Sequence, residues 1–189
     1  WRRVYKTTVD GLSLATFFRR VANIKPLLFF LKTTDDDLIG AFIPTNIIIS
    51  DSHYGSSEMF LFKFKTEFPK HDQIETEPQN NETTSEKSDE NSESKTTQNV
   101  SSPSNTYNST KPRTIIETYR WNHLKNINNR LFILSNLDCI LFGGGKTSAL
   151  YINKDMYGGY SDPCETFNSP RLTTKRKFDI ALIEVWQIG

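Results

Sequence analysis

The feature that most constrains the fold of this chain is a succession of short β-type segments separated by turn residues. Val, Ile, Phe and Leu dominate each segment, and clusters of Asp, Gly, Pro and Ser lie between them, as expected of strands joined by turns. The Asp35-Asp36-Asp37 run predicts a hairpin turn. The pattern predicts strands at 4–7, 27–32, 38–42, 47–49, 59–64, 131–134, 139–142, 149–152 and 178–188.

Helical spacing of apolar residues occurs clearly in one place, at 14–21, where it predicts an amphipathic helix with Ser13 as its N-cap. In the strand at 59–64, Phe60, Phe62 and Phe64 alternate with residues that become polar, so we expect the Phe face to cover the core. Short antiparallel strands with little helix predict an α+β, mainly β fold. We expect an antiparallel β-sandwich with one or two packed helices.

A long polar segment, 70–112, interrupts this pattern. Among its residues only Ile74, Val100 and Tyr107 are apolar, so the segment cannot bury enough surface to offset the entropy of ordering it. Eight acidic and four basic residues give it a net charge of −4, which leaves the rest of the chain at +5 against an overall +1. We therefore predict a disordered acidic insertion within a single domain, 1–189.

Composition excludes several classes of function. The 23 basic and 22 acidic residues give no global case for binding nucleic acid. Two cysteines, Cys139 and Cys164, form neither a disulfide framework nor a zinc site, which favours a reduced intracellular protein. The longest apolar run, 26–31, is far shorter than the roughly 20 residues of a membrane span. We expect a monomer with no transmembrane segment, cofactor or metal.

The segment Gly143-Gly144-Gly145-Lys146-Thr147 is similar to the end of a phosphate-binding P-loop. A P-loop needs another glycine five residues ahead of its last Gly-Lys-Thr, but Ile140 stands there. The loop must also lead into a helix, whereas 149–152 is typical of a strand. We therefore interpret the glycines as a turn between strands, with Lys146 facing solvent.

Glu184 is the most informative charged residue, because period-two alternation between Phe178 and Ile188 places it on an apolar face. A carboxylate there needs hydrogen bonds or a cation. One interpretation is that it accepts hydrogen bonds from amides of the glycine-rich loop or of the turn 55–57. The alternative is an acid or base acting together with Glu58.

Cys164 is a candidate for a peroxide-reactive thiol. A reactive thiol needs cationic neighbours or a helix N-terminus, whereas the adjacent charges here are Asp162 and Glu165. The alternative is a small buried residue that holds a turn. The basic cluster Arg171, Lys175, Arg176 and Lys177 is either a solvated loop or a docking face for an acidic protein partner.

Nearly all of the chain outside the insertion resembles the TLDc domain, which is shared by oxidation resistance proteins, certain nuclear receptor coactivator relatives and some TBC-domain proteins. The closest likeness is to the oxidation resistance proteins. The resemblance rests on the order and spacing of many residues: Trp1, Tyr5, Asp10, Gly11, Ser13, Leu14, Gly40, Ala41, Tyr54, Gly55, Glu58, Phe60, Leu61, Phe62, Gly143, Gly144, Gly145, Asp155, Gly158, Cys164, Thr166, Phe167, Ile183, Glu184, Val185 and Trp186.

The resemblance implies a TLDc fold with fold-specific turns at Gly55, Gly143, Gly144, Gly145 and Gly158. It also implies a non-enzymatic interaction module in resistance to oxidative stress, which binds the V1 sector of the vacuolar proton pump and promotes its disassembly or inhibition. The alternative is an enzyme or direct peroxide scavenger that uses Cys164 or the Glu58 and Glu184 carboxylates. We expect a cytoplasmic location, including the vacuolar membrane surface, with mitochondria as the alternative.

Overall fold

The computed structural model describes residues 1–67 and 112–189. Residues Trp1–Thr66 and Thr114–Gly189 form one compact unit. The second unit, Glu67–Arg113, contains the predicted insertion 70–112, which lies outside the described residues except for Pro112. The described part contains eleven strands and three short helices: β1 Arg2–Lys6, α1 Thr7–Asp10, α2 Leu14–Val21, β2 Leu27–Thr33, β3 Leu38–Ile43, β4 Ser50–Tyr54, β5 Phe60–Glu67, β6 Arg113–Arg120, α3 His123–Asn126, β7 Ile133–Ser135, β8 Cys139–Phe142, β9 Leu150–Asn153, β10 Gly158–Tyr160 and β11 Lys177–Gln187.

The strands form two facing sheets that share β11. The first sheet has the order β1-β11-β2-β3-β5-β6, and the second has the order β4-β7-β8-β9-β10-β11. The start of β11, up to Asp179, pairs with β10, and the strand from Ile180 onward pairs with β2. Phe29 of β2 and Phe142 of β8 meet with ring centroids 5.3 Å apart. The mainly β fold predicted from the sequence is confirmed.

The hydrophobic core lies between the two sheets. Leu27, Phe29 and Leu31 alternate along β2 and are fully buried, while the side chains between them are not. Helix α2 adds Phe17 and Val21, both fully buried, to the same core. A large aromatic and aliphatic core of this kind supplies most of the stability of the fold.

The predicted amphipathic helix is confirmed as α2. The Oγ of Ser13 accepts a hydrogen bond from the backbone N–H of Thr16 at 3.5 Å, so Ser13 is the N-cap. The predicted hairpin turn is also present: the N–H of Thr33 donates to the carbonyl of Asp37, and Asp36 has a φ of 65°. Local sequence signals therefore determine these two elements.

The prediction that the Phe face of β5 covers the core is wrong. Met59, just before the strand, and Leu61 are fully buried in the core, whereas Phe60 and Phe64 are half-buried on the opposite face of the sheet. Both faces are apolar at this point, so the alternation alone does not choose between them. The register decides, because Leu61 pairs with the buried Ala41 of β3.

The strands differ from the prediction in four places. Residues 47–49 form no strand, because side chains satisfy the backbone of Ile48: its N–H donates to the Tyr54 hydroxyl at 3.0 Å, and its carbonyl accepts from Ser135 Oγ at 2.8 Å. Strands β4, β6 and β10 were not predicted. Strands β4 and β6 are mostly polar, and β10 contains Gly158 and Gly159.

Candidate functional site

The glycine-rich loop joins β8 to β9, as predicted, and it is held down by the segment that carries Cys164. The N–H of Gly144 donates to Thr166 Oγ1 at 2.9 Å, and the hydroxyl of Thr147 donates to the carbonyl of Pro163. Gly143 has a φ of +76°, a backbone conformation that favours glycine. Lys146 is exposed and no helix follows it, so the loop lacks the helix N-terminus of a P-loop.

Cys164 lies beneath this loop and is 4% exposed. Its Sγ donates to the carbonyl of Gly144 at 3.6 Å, and its backbone exchanges two hydrogen bonds with Ser169. Packing of this kind keeps the thiol away from solvent, where a peroxide would have to reach it. The other cysteine, Cys139, is half-buried, and burial raises the pKa of its thiol, with further increases from Asp138 and Asp51.

Glu184 lies on the outer surface of the first sheet, facing away from the core. Its carboxylate is 2.8 Å from Lys6 Nζ and 3.8 Å from Arg3, and it accepts a hydrogen bond from Trp186 Nε1 at 3.2 Å. Burial alone would raise the pKa of Glu184, but the hydrogen bonds from Lys6 and Trp186 and the two nearby cations lower it overall. Among the described residues, the carboxylate of Glu184 therefore bonds to Lys6 and Trp186 and not, as one interpretation had it, to amides of the glycine-rich loop or the turn 55–57.

Glu184 lies on an apolar face with Leu182 and Trp186, as predicted, but a bulge places that face outside the core and separates it from Phe178. The pairing of β11 with β2 shifts register between Ile180 and Leu182. Phe178 is therefore buried on one side of the bulge, whereas Ile183 and Val185, of the opposite parity, are buried on the other. An alternation counted through the bulge reverses every later side chain.

Glu58 does not share a site with Glu184. It is exposed in the turn before β5, where its N–H donates to Ser56 Oγ at 3.2 Å. In the first sheet, β2 and β3 lie between β11, which carries Glu184, and β5, which follows Glu58. The two carboxylates therefore lie in different parts of the sheet and do not form the pair needed for shared acid and base work.

The predicted basic cluster is partly neutralised. Lys175 Nζ is 2.6 Å from Asp35, and Arg176 donates three hydrogen bonds of 2.8–3.1 Å to Asp162. The hydrogen bond and charge of Asp35 raise the pKa of Lys175. Arg171 and Lys177 are exposed.

Two concave sites were not predicted from the sequence. The first is a groove of about 320 Å³ on the outer surface of the first sheet, lined by Trp1, Phe30, Lys32, Leu38, Leu182, Glu184 and Trp186. Its wall is almost entirely apolar, although a carboxylate and an amine lie at its border. The signal for it was in the sequence, since alternate residues of β2 and β11 are apolar on both faces.

The second site lies beside the turn 55–57 and is lined by Trp121, Arg130 and Phe132 together with His53. The Nε2 of His53 is buried and has no hydrogen-bond partner among the described residues. Burial lowers the pKa of His53, because the charged imidazolium would lose hydration there. This histidine is therefore a pH-sensitive point in the structure.

The described residues contain no group of three or more His, Cys, Asp or Glu side chains placed to hold a metal ion. Over the same residues, no helix has the length and apolarity to cross a bilayer. The arrangement as a whole offers surfaces for binding, with the candidate thiol packed away and the candidate carboxylate neutralised.

Comparisons with known proteins give the same family throughout. The family model for the TLDc domain matches residues 1–91 and 88–189. The chain is 28% identical over 188 residues to bovine oxidation resistance protein 1, a match that covers 98% of this chain and 16% of that protein. It is 27% identical to human oxidation resistance protein 1 and 26% identical to chicken nuclear receptor coactivator 7, again over 98% of this chain and over 16% and 15% of those proteins. The chain thus spans about a sixth of the length of these relatives.

Proposed function

Because the chain belongs to the TLDc domain family, we propose that it is a non-enzymatic interaction module in resistance to oxidative stress. Its partner in this proposal is the V1 sector of the vacuolar proton pump, whose disassembly or inhibition it promotes. The names of the similar oxidation resistance proteins support the link to oxidative stress. The choice of V1 follows from the resemblance to the TLDc domain.

The observation that best supports a binding role is the state of the two chemical candidates. Cys164 is buried, with its Sγ 3.6 Å from the carbonyl of Gly144, which limits the access of peroxide to the thiol. The carboxylate of Glu184 is held by Lys6 and Trp186, which stabilise its charged form and make it a poor general acid. Both groups are engaged in contacts within the fold, which supports a binding role over a chemical one.

The test combines capture of V1 with peroxide consumption. The 189-residue chain is immobilised and incubated with purified V1, and its consumption of hydrogen peroxide is measured separately. We expect V1 to be retained and peroxide to disappear no faster than with Cys164→Ser. The half-buried Cys139 offers a matched control, as Cys139→Ser.

Two results would count against the proposal. If the unmodified chain consumed peroxide catalytically and a folded Cys164→Ser variant did not, the protein would be a scavenger. If V1 passed through without retention while the chain remained folded by circular dichroism, the partner would be wrong. Loss of peroxide consumption in Cys139→Ser alone would identify background oxidation of an accessible thiol.

A further inference from the structure

The outer side of the first sheet is unusually apolar. An antiparallel sheet with one side in the core normally presents polar residues on the other. Here the outward residues of four neighbouring strands form what we call the outer aromatic face: Phe30, Phe42, Phe60, Phe62, Phe64, Leu182 and Trp186. The core is complete without these side chains, because Phe29, Ala41, Leu61 and Ile183 fill the opposite side of the same strands.

The rings of the outer aromatic face contact one another in a continuous series. Phe42 stacks on Phe60 with ring centroids 5.2 Å apart, and Phe60 and Phe62 follow at 6.4 Å. Phe62 also meets Phe30 at 5.4 Å and Phe64 at 6.0 Å. Because the rings support each other, the surface is rigid before any partner arrives, which reduces the entropic cost of binding.

Close packing at Gly40 fixes this surface further. A Cβ added there would overlap the ring of Phe62 and the backbone carbonyl of Phe29. Only glycine therefore allows the Phe62 ring to lie flat against β3. The groove described above continues the outer aromatic face at β11, where Leu182 and Trp186 line its wall. Its size suits one or two large apolar side chains.

Positive charges border this apolar surface. Lys6 and Arg3 carry two positive charges, and both contact the single negative charge of Glu184. The exposed Arg120 adds a guanidinium centred 4.4 Å from the ring of Phe60. The ion pair between Lys32 and Asp36 adds no net charge. The border therefore carries more positive than negative charge and complements an acidic partner.

We propose that the outer aromatic face binds an acidic amphipathic segment of a protein partner. Large apolar side chains of that segment enter the groove beside Trp186, and its carboxylates meet Arg120, Lys6 and Arg3. The proposal deepens the proposed function by naming the surface and the chemistry of the partner segment, and its biological assignment rests on that function. A groove with an almost entirely apolar wall and charged residues at its border is typical of a binding site.

The first experiment tests the surface without V1. A synthetic amphipathic helical peptide with Trp and Leu on one side and Glu on the other is titrated with the 189-residue chain by fluorescence anisotropy. A second peptide carries Lys at every Glu position. We expect the Glu peptide to bind and the Lys peptide to bind at least about tenfold more weakly, as charge complementarity requires.

Three variants locate the binding. Leu182→Asp places a charge in the groove, and Arg120→Glu reverses the exposed border charge. Leu137→Asp is the matched control, since Leu137 is 57% exposed in the turn between β7 and β8 of the other sheet. We expect Leu182→Asp and Arg120→Glu each to weaken binding of the Glu peptide about tenfold, and the control to leave this binding unchanged. Equal binding by all variants, or by both peptides, would overturn the proposal.

Capture of V1 by the same variants distinguishes failure of the surface from failure of the proposed function. If the unmodified chain retains V1, Leu182→Asp and Arg120→Glu should retain less, and full retention by both would overturn the proposal. If even the unmodified chain retains no V1, the proposed function fails. The peptide titrations still test whether the outer aromatic face binds an acidic amphipathic segment. A concentration-dependent dimer that Leu182→Asp dissociates would assign the face to a second copy and refute a partner segment.

Discussion

Replacing Gly143 by alanine should destabilise the protein through two separable effects. The residue has a φ of +76°, where an L side chain is strained. An added Cβ would also overlap the Sγ of Cys164 and lie 3.1 Å from Cδ2 of Phe167. Cys164 is 4% exposed and Phe167 is 1% exposed, so neither side chain can move into solvent.

The two effects have different expected sizes. The left-handed backbone costs roughly 1–2 kcal/mol. Overpacking against a closed site costs roughly 1–3 kcal/mol more. Gly143→Ala should therefore lower the free energy of unfolding by roughly 2–5 kcal/mol, a large share of the stability of a typical domain. Removing the sulfur with Cys164→Ala should relieve most of the overpacking in the double variant.

The assay is unfolding in urea, monitored by tryptophan fluorescence. The free energies of unfolding of the unmodified chain, the two single variants and the double variant form a double-mutant cycle, with the same dependence on urea concentration used for all four. Gly11→Ala is a control for a positive φ without a clash, because Gly11 has a φ of +88° and a ψ of 171° and nothing lies within 4 Å of an added Cβ. We expect Gly11→Ala to show a backbone cost alone and to be additive with Cys164→Ala. Strict additivity of Gly143→Ala and Cys164→Ala would refute the steric reasoning.

Two further predictions concern charge. Burial lowers the pKa of His53 below 6.5, so the unfolded chain binds a proton at this histidine more readily than the folded chain does. The stability contributed by neutral His53 is therefore present above about pH 6.5 and is lost as the pH falls through the folded pKa. As the pH falls over this range, the urea midpoint of His53→Gln should decrease less than that of the unmodified chain. The control His123→Gln, at an exposed site, should behave like the unmodified chain. Equal slopes of urea midpoint against pH for all three proteins would disprove the role of His53. The double variant Arg171→Glu, Lys177→Glu should associate with V1 more slowly, and its association rate should depend less on salt. The control variant Lys125→Glu should keep both the rate and the salt dependence of the unmodified chain. Stopped-flow measurement of association rates over a salt series tests this prediction.

Elements determined by neighbours in sequence could be predicted. The N-cap at Ser13 and the apolar spacing of 14–21 suffice for α2, since the signals and the structure they specify lie within a few residues. The turn at Asp36 follows in the same way from local side-chain and backbone preferences. The loop at 143–147 was also interpreted correctly as a connection between strands, because the segment after it has strand character.

Features determined by pairing between distant strands could not be predicted. The register shift between Ile180 and Leu182 depends on β2, which lies far away in the sequence, and it decides which way Glu184 points. The same holds for Phe60, whose face follows from its pairing with Phe42. Where both sides of a strand are apolar, composition carries no information about which one is buried.

The sharing of β11 by both sheets has a consequence for how the protein is made. Its start pairs with β10 and the rest with β2 and β1, so one strand supplies a hydrogen-bonding edge to both layers. It is translated after all the other strands of the described part, and until then β2 and β10 each expose an unpaired edge. A nascent chain that ends before Lys177 therefore exposes the unpaired edges of β2 and β10 at the same time. We expect such a chain to bind chaperones and to pair with strands of other molecules.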